Sequence, residues 1–315
     1  MDWWDDLWLN ESFADFISQY TLNKINSTLD MKLLPPQMYF RDRKQWGYDE
    51  DERDSGTHPI RSEVPNTDVA NNNFDGITYA KGAAVIKQLV FIIGEDNFAL
   101  GLKKYFDQFA WSNATIHDFL RVMTEYFPST ITVQEWMESW IETPSLNTIE
   151  AIWDAGSLST TSTLKLIQKP FSDAYPTTRY HKLQVAFFNS NGSVVKNTTV
   201  ELMPGVETTN VIYDGSYAVK AILVNYNDHG FVENILDPTS LQFFMNNINK
   251  ISDTFLRTTV WYNLSQMNKL TLLKLDTYTQ FLDSQILEEP VDFIMAQMLN
   301  QFGGFLSNFT TETDK

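Results

Sequence analysis

The feature that most limits the fold of this chain is a change of periodicity near Pro144. Before it, apolar residues recur at three- and four-residue spacing, as in the stripe Leu9, Phe13, Phe16, Ile17 and Tyr20. After it come short β-branched or alternating runs at 164–168, 181–188, 193–202, 210–213 and 218–224. Turn signals at Asn191-Gly192, Pro204-Gly205 and Asp214-Gly215 separate them, a spacing that predicts a small antiparallel β-sandwich. From about Thr239 helical spacing returns at Leu241, Phe244, Met245 and Ile248, then over 255–264 and 272–281. Two switches of period within 315 residues predict an α+β, multidomain chain. Its parts are a mostly helical region at 1–147, a β-sandwich at 148–228 and the start of a C-terminal α-helical domain at 229–315.

Local signals refine the first part. Pro35-Pro36 is expected to stop regular structure. The acidic stretch 45–57, with Tyr48-Asp49-Glu50-Asp51-Glu52, reads as a solvated loop. A helix is expected over 79–93 with Gly94 as its C-cap, and another over 97–109. Thr115 reads as the N-cap of a helix carrying Phe119, Leu120 and Met123. Residues 133–141 place Trp136 and Trp140 on one helical face. The polar tail 310–315 reads as frayed.

Composition removes several classes of function. Hydrophobic residues make up 43% of the chain and aromatics 14%, enough for a packed core rather than a disordered chain. A net charge of −17 argues against a nucleic-acid partner, which needs clustered Lys and Arg. With no cysteine there is neither a disulfide framework nor a thiol nucleophile. No apolar run reaches the length of a membrane span, and the start of the chain does not resemble a signal peptide. These features lean toward the cytoplasm without fixing a compartment. Sequons begin at Asn10, Asn26, Asn113, Asn191, Asn197, Asn263 and Asn308, but an Asn- and Thr-rich chain produces them by chance.

The string Trp3-Trp4-Asp5-Asp6-Leu7-Trp8-Leu9-Asn10-Glu11-Ser12-Phe13-Ala14 resembles one segment of the aminopeptidase N-type zinc metallopeptidases. In that family the glutamate of W-L-N-E-x-F-A is the third protein ligand of the catalytic zinc, which makes Glu11 the matching metal ligand. A second block, His58-Pro59-Ile60 followed by Phe74-Asp75-Gly76-Ile77-Thr78-Tyr79-Ala80-Lys81-Gly82-Ala83, is similar to the family's H/R-P-I … F-D-x-I-x-Y-x-K-G-A pattern. The family's tyrosine there donates a hydrogen bond to the oxyanion of the tetrahedral intermediate, and Tyr79 is the matching catalytic residue. Gly82 fits the same block as a residue that lets helices pack closely. Weaker likenesses continue through 140–148, which lacks the family's common Gly-Tyr-Pro, through Arg179-Tyr180-His181-Lys182-Leu183, and into 224–240.

The resemblance implies that 1–147 is part of a thermolysin-like catalytic domain acting on peptides with a free N-terminus. It also implies zinc as the cofactor of the complete architecture. The other two zinc ligands are the histidines of an H-E-x-x-H motif, which would fall about eight residues or more before Met1. The four histidines present are His58, His117, His181 and His229, and none pairs at i, i+4 spacing. The chain by itself is therefore expected to bind no zinc and to be inactive, and whether it is itself an enzyme stays open. The alternatives are a non-catalytic peptide-binding or interaction protein on the same scaffold, or an incomplete gene model. The remaining residues have ordinary readings. Trp3, Trp4 and Trp8 read as core, and Asp5 and Asp6 as solvated or helix-leading. His58 reads as a structural loop residue, and His117 and His181 as no part of a metal site. With the upstream helix absent, Trp3, Trp4, Leu7, Trp8 and Phe13 are expected to expose apolar surface and make the chain aggregation-prone.

Overall fold

A computed structural model describes residues 4–29, 35–153, 162–213 and 218–309. Trp3, the turn signal Asp214-Gly215 and the tail 310–315 lie outside the described residues. The helical part runs α1 (Leu7–Leu29), α2 (Pro36–Asp51), α3 (Thr67–Asn72), a π-helical turn (Ile77–Lys81), α4 (Gly82–Ile93), α5 (Glu95–Phe109), α6 (Ile116–Met123) and α7 (Val133–Trp140). Helix α4 is apolar on every side, and Ala83, Val85, Ile86 and Leu89 are wholly buried at the centre of this part. Trp8, Phe16, Phe119, Trp136 and Trp140 pack in the same core. Helix α4 ends at Gly94, as the sequence predicts. Helix α6 begins on a capping box between Thr115 and Asp118, each side chain satisfying the other's backbone N–H.

Two small sheets follow. Strands β1 (Asn147–Ile152), β2 (Ser162–Pro170), β5 (Thr208–Tyr213) and β7 (Glu233–Ile235) form one, in the order β5-β2-β1-β7. Strands β3 (His181–Phe188), β4 (Val194–Leu202) and β6 (Ala221–Val224) form the other, in the order β4-β3-β6. Ile149, Leu164, Leu166, Leu183, Val185 and Phe187 bury their alternating faces in one cluster. The expectation of a purely antiparallel sandwich needs one correction, because β1 and β7 run parallel. Strand β7 does not return as a hairpin from β6, because the connecting segment is fastened to α2. Lys44 Nζ donates to Asp228 Oδ1 (2.6 Å) and to the Gly230 carbonyl (2.8 Å), and the Tyr48 ring stacks on Phe231 at 4.3 Å. Helices α8 (Pro238–Asn247), α9 (Thr254–Lys269), α10 (Leu275–Gln285) and α11 (Asp292–Phe309) complete the described chain. Trp261, Phe281, Ile294 and Met298 lie in their core, and Arg257 holds Glu289 through Nε (2.8 Å) and Nη2 (3.0 Å).

Four expectations for the helical part are overturned in whole or in part. Pro36 does not stop structure; it opens α2, where its missing N–H is no loss. The acidic stretch 45–57 is a loop only in its second half: 52–57 form a turn in which 53–55 are exposed, while 45–51 continue α2 to Asp51, because their charges find partners far along the chain. Asp51 pairs with Lys81, and Glu52 accepts from Gln266 (2.5 Å) and Lys269 (2.6 Å) of α9. Of the solvated and helix-leading readings of Asp6 only the first fails: it sits in the 3-10 turn that leads into α1 and is buried there, accepting from Arg61 Nε (2.9 Å) and from the Ile116 N–H that opens α6 (3.1 Å). Leu7 and Trp8 are likewise covered by the chain's own residues, while Phe13 lines an open apolar groove of about 400 Å³ with Leu9, Ile17, Leu102, Phe106 and Phe119. No single helix among the described residues is long and apolar enough to cross a membrane.

Candidate functional site

Glu11 and Tyr79 lie 68 positions apart in the sequence, and the contact between α1 and α4 brings them together. On α1, Leu7, Trp8, Leu9, Ser12 and Phe16 form the buried side. Ser12 Oγ donates to the Thr78 carbonyl at 2.6 Å, fully buried. It sits over Gly82, where a Cβ would lie 2.0 Å from Ser12 Oγ. Only glycine permits so close an approach, and the sequence reading of Gly82 as a close-packing residue holds. Glu11 is the neighbour of Ser12 and Tyr79 the neighbour of Thr78. Fastening the inner pair therefore aligns the outer pair.

The turn that carries Tyr79 is built with equal care for its backbone groups. Asp75 Oδ1 accepts from the N–H groups of Ile77 and Thr78, both at 3.0 Å, as a helix cap does. Its other oxygen is held by His58 Nε2 at 2.7 Å, while His58 Nδ1 lies 2.7 Å from the Pro59 carbonyl. Burial disfavours a charged His58 ring, but the Asp75 carboxylate outweighs it and raises the imidazole above its ordinary value. His58 is structural, as expected, and the partner it orders is Asp75. The turn 77–81 is π-helical, with the Gly82 N–H reaching back to the Ile77 carbonyl. Such wide turns change the direction of the side chains they carry. Here Tyr79 is left half-buried, while Lys81 points inward to Asp51 at 2.9 Å, both side chains having no exposed surface.

The Glu11 carboxylate stands close enough to the Tyr79 hydroxyl to act on its titration. Its ring stacks on Trp46 at 5.9 Å and leans on Phe74 at 6.4 Å. Partial burial, then the Glu11 contact, raises the phenol above its ordinary value of 10.0. The hydroxyl thus keeps its proton near neutral pH and is available as a hydrogen-bond donor. Among the described residues, no three His, Cys, Asp or Glu side chains converge as a metal-ligand set. A catalytic zinc takes three protein ligands, so these residues alone do not fit one.

Asp15, Arg43 and Trp46 also border Tyr79 and were not singled out by the sequence. Asp15 was open to detection, being one helical turn after Glu11 on the same face. Arg43 and Trp46 share a face of α2, a helix that the sequence reading did not place. His117 is exposed, and His181 is buried with Nε2 3.1 Å from Asn147 Oδ1. Neither enters the site.

The Peptidase family M1 domain model matches residues 1–140, the part that carries both Glu11 and Tyr79. This part of the chain belongs to peptidase family M1. Relatives of the chain are M1 aminopeptidases. Aminopeptidase N of Streptomyces lividans is 31% identical over 280 residues, covering 85% of this chain and 32% of that protein. The probable aminopeptidase 1 of Sulfurisphaera tokodaii is 30% identical over 295 residues, covering 91% and 35%. Glutamyl aminopeptidase of Homo sapiens is 34% identical over 140 residues, covering 44% of this chain and 14% of that protein. The chain thus spans about a third of the length of the first two relatives. M1 peptidases are zinc-dependent.

Proposed function

We propose that this chain is the part of an M1 aminopeptidase that supplies one zinc ligand, Glu11, and one oxyanion donor, Tyr79. The substrates are peptides with a free N-terminus. The observation that carries the reading is the fastening of Ser12 to Thr78 and against Gly82, which sets Glu11 and Tyr79 side by side from elements far apart in sequence. An oxyanion donor has to stand beside the metal it works with, and a protonated phenol against a carboxylate ligand meets that need. When bound, zinc supplies Lewis-acid activation of water and carbonyl. The chain's own contribution is to hold Glu11 toward the metal position and the Tyr79 O–H toward the developing oxyanion. A preorganised donor of this kind contributes about 2.7–4 kcal/mol to transition-state stabilisation. The same reading divides the chain at 1–147, 148–228 and 229–315, with zinc held only in the complete architecture.

The test joins this chain in frame to the N-terminal remainder of an M1 relative that carries H-E-x-x-H. The fusion should hydrolyse aminoacyl arylamides and lose that activity to a chelator, and zinc should restore it. A folded fusion that binds zinc and turns over no aminoacyl arylamide would favour a non-catalytic peptide-binding module on this scaffold.

A further inference from the structure

Arg43 is joined to both sides of the site without touching the metal position. Its Nε donates to Asp15 Oδ2 at 2.9 Å, and Asp15 lies one turn beyond Glu11 on α1. Its guanidinium carbon lies 4.5 Å from the centre of the Trp46 ring, three residues along α2, and 5.7 Å from the Tyr79 ring. Trp46 in turn stacks on Tyr79 with an interplanar angle of 23°. The backbone fixes the other side of this stack, since a Cβ on Gly76 would lie 2.4 Å from the Trp46 carbonyl oxygen. Asp15, Arg43, Trp46 and Tyr79 thus form one line of contacts from α1 across α2 to the turn 77–81.

We propose that Arg43 is the positioning residue for Tyr79: anchored by Asp15 and laid on Trp46, it holds the phenol ring against Glu11. The inference rests on reading Tyr79 as the oxyanion donor, and it adds a residue that this reading does not require. A planar guanidinium suits the task because it makes a directed ion pair while its face lies on an aromatic ring. A residue that merely filled space there would leave the Tyr79 ring in place when replaced by a side chain of similar bulk.

The experiment follows the Tyr79 ring by NMR in the 315-residue chain with labelled tyrosine, at low salt, the resonance being assigned by its loss in Tyr79→Phe. Arg43→Gln should weaken the ring's restraint, seen as a shift of its resonances toward the exposed-tyrosine position. Arg43→Met, which keeps the stem over Trp46 but loses the ion pair with Asp15, should do the same. Arg43→Lys keeps a charge for Asp15 and should shift the ring less. Circular dichroism confirms that each variant is folded. An unmoved ring position in both folded neutral variants would overturn the role of Arg43. That result would leave the fusion's zinc-dependent activity untouched, so the two readings fail separately.

Discussion

Gly82 and Ser12 face each other across the α1–α4 contact with no room for a methyl group, since a Cβ on Gly82 would sit 2.0 Å from Ser12 Oγ and 2.9 Å from Ser12 Cβ. This approach sets the register in which Glu11 meets Tyr79. It makes the site a property of helix packing rather than of a loop.

Gly82→Ala should therefore destabilise the chain by about 1–3 kcal/mol, the range for overpacking a tight contact. Adding Ser12→Ala removes the 2.0 Å hydroxyl clash and leaves the milder Cβ contact at 2.9 Å, so the double variant should recover part of the loss. Urea unfolding of the two variants checks this. Equal stability of Gly82→Ala and the parent chain would mean that the helices separate freely and that the contact does not set the site.

Much of this was legible because it is local or carried by a long motif. The capping box at Thr115, the end of α4 at Gly94 and strands β2 to β6 follow from spacing and turn chemistry within a few residues. Glu11, Tyr79 and Gly82 were found through strings long enough to identify a family. The failures share a cause, which is a charged residue whose partner lies far along the chain. Asp51, Glu52 and Asp6 read as solvated because Lys81, Lys269 and Arg61 could not be assigned to them. Strands β1 and β7 escaped notice because one sits at a junction and the other has three residues. The π-helical turn gives no sign in residue periodicity, and with α2 not placed, Arg43 and Trp46 had no face to share.

The buried pair between Lys81 and Asp51 ties the turn bearing Tyr79 to the start of the sandwich, since Asp51 Oδ1 also accepts the Ser145 N–H at 3.1 Å. Asp51→Asn leaves the Lys81 ammonium without its counter-charge, and the expected cost is about 3–5 kcal/mol. Thermal or urea unfolding measures it. A change of a few tenths of a kcal/mol would show that Lys81 is already neutral or finds another partner.

Glu233 on β7 lies beside Glu52 at the C-terminal end of α2. Burial first, and the Glu52 carboxylate second, hold its carboxyl well above the ordinary value of 4.5, against the opposing pull of Arg41 and Lys269. The folded chain therefore keeps a proton that the unfolded chain releases. This contribution to stability is complete below about pH 4.5 and is lost as pH rises toward the folded value. Glu233→Gln replaces the acid by a neutral group of the same shape. It should raise the urea midpoint at pH 7–8 and change it little near pH 4.5. A variant less stable than the parent chain at pH 8 would contradict the shared-proton account.

The most direct test of the proposed site uses the zinc-dependent fusion and two substitutions in this chain. Tyr79→Phe should lower kcat by roughly 10²–10³ with zinc content unchanged, as loss of one oxyanion donor does. Glu11→Ala should remove both metal and activity, because it deletes a ligand. Zinc content and turnover measured together on the two variants separate the roles. Full turnover in Tyr79→Phe, or a full complement of zinc in Glu11→Ala, would contradict the site described here.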